Sequence, residues 1–407
     1  MILGVGCDIV EISRIEKLIQ KETAIKKLFT QKERELLARQ PNKPQWAAGR
    51  FAAKEAVSKA LKAGIAKCPP NCVEVLYDEN GAPEVNLLGA AQNLIGGISC
   101  EIHLSITHDA GIAQAFAVLE DIQPKVKIKD EDAAAMIAKL LPKRKAKAHK
   151  GDMGKVAVLA GSKRYSGAGY LCTLGALKGG AGLITWCRNY EPLQIPPEAM
   201  SFKLPGKHPF RAFREFCADM DSVVIGPGLG VDFAKKVLDK SLGKITCHMV
   251  LDADALNALA QYDTLPELGD KVILTPHVGE AARLLKKENT YVAENIVECA
   301  KELAQKTGAV AVIKCHDTAV CAPDGEVFIN STGNAGMATG GSGDVLAGLM
   351  GALLKRLKPY DAARYAVYLH GLAGDIAKIA CGENSMTAMD ILDCLPQAFM
   401  TLDKYRG

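Results

Sequence analysis

Apolar and polar residues follow two different patterns along this chain, and each pattern predicts a different kind of unit. Beyond residue 150, short apolar runs alternate with segments whose apolar residues recur at helical spacing. The runs predict strands at Lys155–Leu159, Gly182–Trp186, Ser222–Ile225, Met249–Leu251, Val272–Leu274 and Val310–Ile313, and the segments between them predict helices such as Ala281–Lys286 and Ile296–Lys306. This alternation is typical of a parallel sheet covered by helices on both faces. The later part of the chain is therefore expected to be α/β, with a doubly wound sheet.

The first 120 residues have a different pattern, which favours a compact α+β unit. Strands are expected at Ile2–Val10, Val73–Tyr77 and Ile102–Thr107, and a helix is expected at Trp46–Lys62. A polar, proline-containing segment, 121–129, then follows the strand-like run 113–119. Because domain boundaries fall in such segments, we place one near residue 123, with domains at 1–122 and 127–407.

Length, composition and cysteine usage narrow the class of protein. The 407 residues suit two domains, and 48% hydrophobic with 24% charged residues is an ordinary globular composition. A net charge of +4 is too small to imply nucleic acid, and no apolar run approaches the roughly 20 residues of a membrane helix. Thirteen scattered cysteines and a start without signal-peptide features favour reduced thiols in the cytoplasm. We expect neither a nucleic-acid partner nor a membrane.

One basic stretch, Lys143–Lys150, has the charge of a nucleic-acid patch. No aromatic residues interleave it, as they do in single-strand binding surfaces. A solvated arm ahead of the next strand is the favoured interpretation.

The segment Asn334–Leu346 combines a glycine-rich loop with the start of a buried helix. Glycines at 340, 341 and 343 precede Asp344, and apolar residues then recur at helical spacing from Leu346 onward. Unpaired amides at a helix N-terminus favour an anion such as phosphate. A carboxylate beside that anion either caps the helix or takes a proton from a hydroxyl that attacks the phosphate.

Other polar or glycine-rich segments directly follow predicted strands, so they should gather at the carboxyl edge of the sheet. They are Gly226–Gly230, Asp252–Asp254, Thr275–His277 and Lys314. Asp252 and Asp254 either orient Mg²⁺ or cap the next helix, and His277 either contacts a ligand or begins a helix.

In the first unit, Asp8 ends a strand and Glu55 lies within a helix. Two carboxylates that are distant in sequence suit a Mg²⁺ site completed by water and phosphate, with Lys54 and Lys59 meeting the phosphate charge. The alternative is that Glu55 and Lys59 form an ordinary i,i+4 helix pair.

The motifs of the first unit resemble those of the bacterial holo-acyl-carrier-protein synthases. They are Gly6–Ile12 followed by Arg14, then Ala48–Lys59, and then Leu104–His108. The resemblance implies transfer of phosphopantetheine from coenzyme A to a serine of acyl carrier protein, in a homo-oligomer with shared sites. It implies that Asp8 and Glu55 hold Mg²⁺, that Glu55 and Lys59 are catalytic, that Arg14 meets the carrier and that His108 binds substrate. A non-catalytic trimerising scaffold is the alternative.

The second unit resembles the ADP-dependent NAD(P)H-hydrate dehydratases, which have a ribokinase-like fold. The motifs are His149–Gly154, Tyr165–Ala168, Ile225–Gly230, Leu251–Asn257, Leu274–His277 and Asn334–Leu346. The resemblance implies that the C6 hydroxyl of hydrated NADH or NADPH, in its S epimer, is phosphorylated by ADP or ATP before phosphate is eliminated. A kinase of a small hydroxylated metabolite is the alternative, because the same fold and loop serve both.

The resemblance also assigns roles to residues of the second unit. Asp344 is the expected base, and the amides of Gly341–Gly343 are expected to hold the transferred phosphoryl group. The residues expected to line the hydrated dinucleotide are Ala168, Gly228, Gly230 and His277, and those expected to bind the phosphoryl donor are Lys314, Cys315, His316, Asp317, Thr318 and Gly343.

Overall fold

The structure, a computed structural model, describes residues 2–96, 100–122 and 126–406. The chain divides into two compact units, Met1–Pro124 and Lys125–Gly407. The boundary that the sequence predicts near residue 123 falls within 123–125, outside the described residues.

The first unit combines short antiparallel sheets with helices. Its strands are β1 (Ile2–Glu11), β2 (Val73–Tyr77), β3 (Pro83–Leu87), β4 (Cys100–Asp109) and β5 (Ile112–Asp121). Its helices are α1 (Ile12–Leu18), α2 (Glu22–Leu28), α3 (Gln31–Arg39), α4 (Lys43–Ala60), α5 (Gly64–Lys67) and α6 (Ala90–Leu94). One sheet has the order β1-β5-β4 and the other pairs β2 with β3, so this unit is α+β as expected.

The long helix α4 begins three residues before its predicted start and ends two residues before its predicted end. It begins early because the Asn42 side chain accepts a hydrogen bond from the Gln45 N–H, and a proline follows in the first turn. It ends early because Lys62 adopts a left-handed backbone, with φ of 55°.

Helix α4 packs directly on β1 because two glycines of the strand face it. A Cβ at Gly4 would lie 1.9 Å from the Ala60 carbonyl oxygen, and one at Gly6 would lie 1.9 Å from that of Ala56. This close approach brings the second half of β1, which carries Asp8, next to the last turns of the helix. The strand continues to Glu11, so Asp8 lies within β1 and does not end it as predicted.

The second unit is built on one large sheet. Its strands are β6 (Lys155–Leu159), β7 (Leu183–Arg188), β8 (Met200–Lys203), β9 (Ser222–Ile225), β10 (His248–Leu251), β11 (Val272–Leu274), β12 (Val310–Ile313), β13 (Ala319–Cys321) and β14 (Val327–Ile329). Its helices are α7 (Glu131–Leu140), α8 (Ser166–Lys178), α9 (Pro209–Cys217), α10 (Val231–Ser241), α11 (Asp254–Leu259), α12 (Val278–Leu285), α13 (Asn289–Glu294), α14 (Ile296–Thr307), α15 (Ser342–Leu353), α16 (Pro359–Cys381) and α17 (Ala388–Asp403).

The nine strands have the order β14-β13-β12-β11-β10-β9-β6-β7-β8. Pairing is parallel from β8 to β12 and antiparallel at β13 and β14. Alternate residues of β6 enter different cores, since Val156 and Val158 pack on one face while Ala157 and Leu159 pack on the other. The sheet is therefore covered on both faces, as the sequence predicts, and all six predicted strands are present.

Two expectations about composition can be compared with the structure. All thirteen cysteines are free thiols. Throughout the described residues, each helix is too short or too polar to cross a bilayer.

Candidate functional site

Three strands of the second unit end in polar residues that contact one another. The Lys314 Nζ lies 2.7 Å from the Asp252 Oδ1, and the Thr275 hydroxyl donates to the same oxygen over 2.7 Å. Only 1% of the surface of Asp252 is exposed. Neither Asp252 nor Asp254 caps α11, because Asp254 instead accepts a hydrogen bond from the Gly230 N–H, so the capping alternative is wrong.

Asp344 lies in the first turn of α15, which begins at Ser342 after Gly341 as its N-cap residue. Gly341 has φ of 93°, a conformation that favours glycine. Asp344 makes no cap hydrogen bond, and the backbone N–H groups of Gly343 and Asp344 have no acceptor among the described residues. The helix start therefore presents free donors beside a carboxylate that does not cap it.

The surroundings of Asp344 change its acidity. Burial, and after it the negative charges of Asp252 and Asp254, raise the pKa of Asp344 to about 7, although Lys314 opposes this rise. For Lys314, burial alone would lower the pKa, but Asp252 and Glu280 raise it above its usual value. A carboxylate that titrates near neutrality beside a permanent cation suits a general base.

The glycine-rich loop ahead of α15 is held by a carboxylate that sequence reasoning missed. Asp375, on α16, accepts hydrogen bonds from the Gly333 N–H at 2.9 Å and from the Asn334 side chain at 3.0 Å. Asn334 in turn accepts from the Gly336 N–H. An acidic residue among the apolar residues 372–376 was the available signal.

A cavity of about 670 Å³ lies between this loop, the end of β12 and helix α16. Five of the residues predicted to bind the phosphoryl donor line it: Lys314, Cys315, His316, Thr318 and Gly343. His277 lines it as well. A Cβ at Gly343 would lie 3.3 Å from the Lys314 Nζ, so the lysine reaches the start of α15. Asp317 does not line this cavity, because its side chain is 72% exposed and pairs with His316 at 3.0 Å. Its predicted role in nucleotide binding gains no support.

His370 is a second residue that sequence reasoning missed. It is 5% exposed and lines the same cavity, and its Nε2 has no partner among the described residues. Burial, and after it Lys314, lower the pKa of His370 to about 4, so the ring is neutral near pH 7. The cavity wall therefore contains a buried, uncharged ring nitrogen without a hydrogen-bond partner among the described residues.

The predicted dinucleotide residues Ala168 and Gly228 lie together. A Cβ at Gly228 would lie 2.7 Å from that of Ala168, and one at Gly226 would lie 1.9 Å from the Asp252 carbonyl oxygen. Neither Gly226 nor Gly228 therefore has room for a side chain, because protein atoms fill the space beside each. Of the glycines at 226, 228 and 230, Gly230 alone has open space beside it. Its backbone N–H donates a hydrogen bond to the Asp254 carboxylate.

His277 begins helix α12 and also borders the cavity. Its Nδ1 accepts a hydrogen bond from the Gly279 N–H, and the Glu280 carboxylate accepts from the His277 N–H. The imidazole is nevertheless 55% exposed. His277 can therefore both begin the helix and contact a ligand, because the helix cap occupies only one nitrogen of its ring.

In the first unit, Asp8, Glu55 and Lys59 converge where α4 packs on β1. The Lys59 Nζ lies 2.8 Å from the Asp8 Oδ1, so the lysine pairs with Asp8 across the two elements. Among the interactions of the described residues, Lys59 and Glu55 share a charge interaction and no hydrogen bond. Burial, and after it the charge of Asp8, raise the pKa of Glu55. Exposed Arg14 contributes an opposing charge to Glu55. Within the described ranges, no group of three or more His, Cys, Asp or Glu side chains is arranged so that it could hold a metal ion.

Lys54 does not reach this site, so the expectation that it meets phosphate is wrong. It is 1% exposed, and its Nζ lies 2.6 Å from the Glu33 Oε2. It also donates to the carbonyl oxygen of Pro70. The lysine holds α4 to α3 inside the unit.

Arg50 is a cationic residue of α4 that sequence reasoning missed. Its guanidinium lies over the rings of Trp46 and Tyr77, at 5.0 and 4.3 Å, and its Nε and Nη2 have no partner among the described residues. Arg50 and His108 both line a cavity of about 480 Å³. A buried guanidinium with free donors indicates a site for an anion.

Comparisons with known proteins agree with both resemblances. Residues 156–397 match the family described as NAD(P)H-hydrate dehydratase, and residues 4–105 match the 4'-phosphopantetheinyl transferase superfamily. The ADP-dependent (S)-NAD(P)H-hydrate dehydratase of Bacillus subtilis is 35% identical over 265 residues, which cover 64% of this chain and 94% of that enzyme.

The bifunctional NAD(P)H-hydrate repair enzyme of Moorella thermoacetica is 36% identical over 360 residues, 84% of this chain and 66% of that enzyme. The chain spans about half to two thirds of the length of the bifunctional relatives that it matches.

Among solved structures, the ADP/ATP-dependent NAD(P)H-hydrate dehydratase from Bacillus subtilis, co-crystallized with ATP and Mg²⁺, has a TM-score of 0.58 at 32% identity. The match covers 66% of this chain and 97% of that one. The predicted ribokinase-like fold of the second unit is thereby confirmed.

Proposed function

Because the chain belongs to the NAD(P)H-hydrate dehydratase family, we propose that its second unit repairs the S epimer of hydrated NADH or NADPH, using ADP or ATP as phosphoryl donor. The observation that carries this proposal is the position of Asp344. Its carboxylate is half-buried, its pKa is raised to about 7, and it stands beside two backbone N–H groups that have no acceptor in the described part of the chain. Those groups suit a phosphoryl group, and the carboxylate suits the hydroxyl that attacks it.

In the proposed reaction, the oxygen of the C6 hydroxyl bonds to the terminal phosphorus of the donor. Asp344 takes the proton of that hydroxyl as the bond forms. The bond from that phosphorus to the bridging oxygen breaks, so ADP leaves AMP and ATP leaves ADP. Phosphate then leaves C6 and a proton is lost from C5, which forms the ring double bond between these two carbons. Lys314, paired with buried Asp252, supplies positive charge at the start of α15.

The remaining site residues have supporting roles in this proposal. The cavity lined by Lys314, Cys315, His316, Thr318 and Gly343 holds the donor nucleotide. The hydrated dinucleotide lies against Ala168, Gly228, Gly230 and His277. If Mg²⁺ accompanies the donor, Asp254, whose negative charge acts on Asp344, would help to hold it, because Asp252 is already paired with Lys314; the metal would neutralise phosphate charge.

The test is to incubate the full chain with S-epimer hydrated NADH and, in parallel, ADP or ATP. We expect the absorbance of reduced nicotinamide to recover in step with AMP or ADP release. Matched reactions without nucleotide should show no recovery. A stable phosphorylated product from another small alcohol, without recovery of the nicotinamide, would instead establish the metabolite-kinase alternative.

For the first unit, we propose Mg²⁺-dependent transfer of phosphopantetheine from coenzyme A to a serine of acyl carrier protein, a step that supports fatty acid biosynthesis. The residues fit a divalent cation, because Glu55 has no partner among the described residues and its pKa is raised by burial and by neighbouring Asp8. When bound, Mg²⁺ would supply positive charge to the pyrophosphate of coenzyme A. Lys59 adds a second positive charge beside Asp8.

Around that centre, exposed Arg14 would attract the acidic carrier, and His108 with Arg50 would contact coenzyme A in their cavity. The test is to measure the mass gained by apo-acyl carrier protein with coenzyme A and Mg²⁺. Asp8→Ala should abolish the gain while hydrate repair by the same preparation continues. Unchanged modification by Asp8→Ala would contradict the metal assignment, and modification absent even in the wild type would favour the scaffold alternative.

We also propose that the chain forms a homo-oligomer in the cytoplasm. One face of the β1-β5-β4 sheet exposes Val5, Ile9, Ile112 and Phe116, which is an apolar surface suited to a second copy. Thirteen unpaired cysteines support a reducing compartment.

A further inference from the structure

A further cavity, of about 620 Å³, lies at the end of the large sheet away from Asp344. Its wall includes Gly179 and Gly180, which precede β7, and Arg356, which follows α15. Asp252, Lys314 and Asp344 lie beyond the opposite, carboxyl ends of the strands. This cavity is therefore separate from the site already described.

The lining of this cavity, which we term the arginine pocket, is strongly positive. Its charged residues are Lys143, Arg144, Lys178, Arg356, Arg406 and a lone carboxylate, Asp403. Asp403 is already paired with Arg406 at 2.9 Å. For the other four cations, no ion pair is found within the described part of the chain.

Two guanidinium groups converge on one point of the pocket. The Nη2 atoms of Arg144 and Arg356 lie 2.6 and 3.5 Å from the position of a Cβ at Gly180. Burial lowers the pKa of Arg356, and the charges of Arg144 and Arg406 lower it further. Like charges held this close repel one another unless a negative charge lies between them.

Helix capping accounts for only part of this arrangement. Arg144 donates to the Gly180 carbonyl at 3.2 Å and Arg356 to that of Gly179 at 3.1 Å, just past the end of α8. A helix C-terminus offers about half a negative charge, which is less than one of these arginines carries. The buried Nε of Arg356 also has no partner in the described residues, and an unsatisfied buried donor is costly.

We propose that the arginine pocket binds a small polyanion, a phosphate ester or pyrophosphate with two or more negative charges. Guanidinium groups bind phosphate oxygens through paired N–H donors, and the free donors of Arg144 and Arg356 suit that geometry. The volume is that of a small-molecule site, and Leu141 and Phe399 add apolar lining. The basic stretch Lys143–Lys150 thus supplies two residues to this pocket.

The test is calorimetric titration of the full chain with inorganic pyrophosphate, in a chelator that removes divalent metals. The wild type should bind in or below the millimolar range. The double variant Arg144→Gln/Lys178→Gln should weaken binding by about tenfold or more, since two of the four unpaired charges are lost. Pyrophosphate should also raise the unfolding temperature of the wild type more than that of this variant.

The matched control is Lys145→Gln/Lys147→Gln, which removes the same charge from exposed neighbours that do not line the pocket. It should change the affinity less than about twofold, because charges beyond contact distance are screened. Lys143→Gln, at a side chain without a hydrogen-bond partner in the structure, provides a second test if the double variant does not fold; it should weaken binding severalfold.

Fructose 1,6-bisphosphate in the same titrations distinguishes the two sources of phosphate. Tighter binding than pyrophosphate, lost in the double variant, assigns an organic phosphate ester, and the reverse order assigns inorganic pyrophosphate. The proposal is overturned if the wild type gives no heat with either probe at millimolar concentration. It is also overturned if the double variant binds as well as the wild type or no worse than the control.

Discussion

Asp344 occupies a position that disfavours its own negative charge. It is half-buried near Asp252 and Asp254, and these surroundings raise its pKa to about 7. The raised pKa makes Asp344 a stronger base, which suits catalysis. It also means that ionising this carboxylate in the folded protein costs free energy, which lowers the stability of the fold.

The dehydration rate should therefore depend on pH through this group. A general base acts in its ionised form, so kcat/KM should fall about tenfold per pH unit below about pH 7 and level off above it. The measurement is a pH profile of hydrate repair between about pH 5.5 and 8.5, with ADP binding followed separately. A flat profile over that range would remove Asp344 from the role of base.

The stability of the second unit should respond in the opposite direction. The folded pKa of Asp344 lies above its ordinary value of 3.8, so this group destabilises the fold increasingly as pH rises from about 4 to about 7. Asp344→Asn cannot ionise and should be more stable above pH 7, by up to about 4 kcal/mol at about 1.4 kcal/mol per pKa unit.

Urea unfolding at several pH values measures this difference. The control is Asp317→Asn, the same chemical change at a side chain that is 72% exposed, which should leave stability almost unchanged at every pH. Equal stabilities of Asp344→Asn and wild type at alkaline pH would mean that the carboxylate is better solvated than its burial indicates.

At the residue scale, the sequence predicts functional side chains best where they follow recognisable strands. Lys314 and His277 could be placed in advance because the carboxyl ends of parallel strands share one edge. His370 could not, since it lies inside helix α16, where the apolar pattern predicts only core, and Asp375 stands out only as one acidic residue in that pattern. The role predicted for Lys54 is wrong because the sequence does not distinguish a buried lysine from an exposed one. Lys54 is 1% exposed and is paired with Glu33.

At the element scale, the position of α15 depends on its packing against α8. A Cβ at Gly348 would lie 1.9 Å from the Cys172 carbonyl oxygen, and one at Gly175 would lie 2.3 Å from that of Val345. The two helices thus approach backbone to backbone, which fixes the start of α15 and with it Asp344.

Gly348→Ala should therefore destabilise the second unit by about 1–3 kcal/mol or more, because its Cβ forces the helices apart. It should also lower the dehydration rate, since Asp344 moves with α15. The stability control is Gly167→Ala, on α8. A Cβ added there would have no neighbouring atom within 4 Å, so this change should be neutral or slightly stabilising. Similar unfolding midpoints for the two variants would show that this contact does not hold α15 in place.

The apolar pattern predicts the central strands better than the edges of the sheet. Six parallel strands are buried and strongly apolar, so their positions follow from the sequence. β8, β13 and β14 were not predicted; they are three or four residues long, as β9 to β12 are, but they lie at or near the sheet edges. Pairing partners, which are tertiary contacts, decide whether such short segments form strands.

At the scale of the whole molecule, two units carry two separate sets of chemical groups. The first contains paired carboxylates with Lys59, and the second contains Asp344 with Lys314. We expect no exchange of product between them, because the 3',5'-ADP released by phosphopantetheine transfer is not the 5'-ADP that repair uses.

The proposed homo-oligomer makes a prediction at this scale. Phe116 is 46% exposed on the apolar face of the β1-β5-β4 sheet. Phe116→Lys should reduce the molecular mass measured by light scattering, because burying an unpaired lysine between copies is unfavourable. The control is Lys67→Glu, an exposed charge change on α5 away from that sheet. A wild-type chain that is monomeric at every concentration would contradict the assembly proposal.

The most direct test of the central claim is hydrate repair by Asp344→Asn, with ADP binding verified in the same preparation. The account predicts that the variant folds and binds ADP but repairs hydrated NADH about 10²–10⁴-fold more slowly than wild type. Repair at the wild-type rate by the folded variant would contradict the assignment of Asp344 as the base.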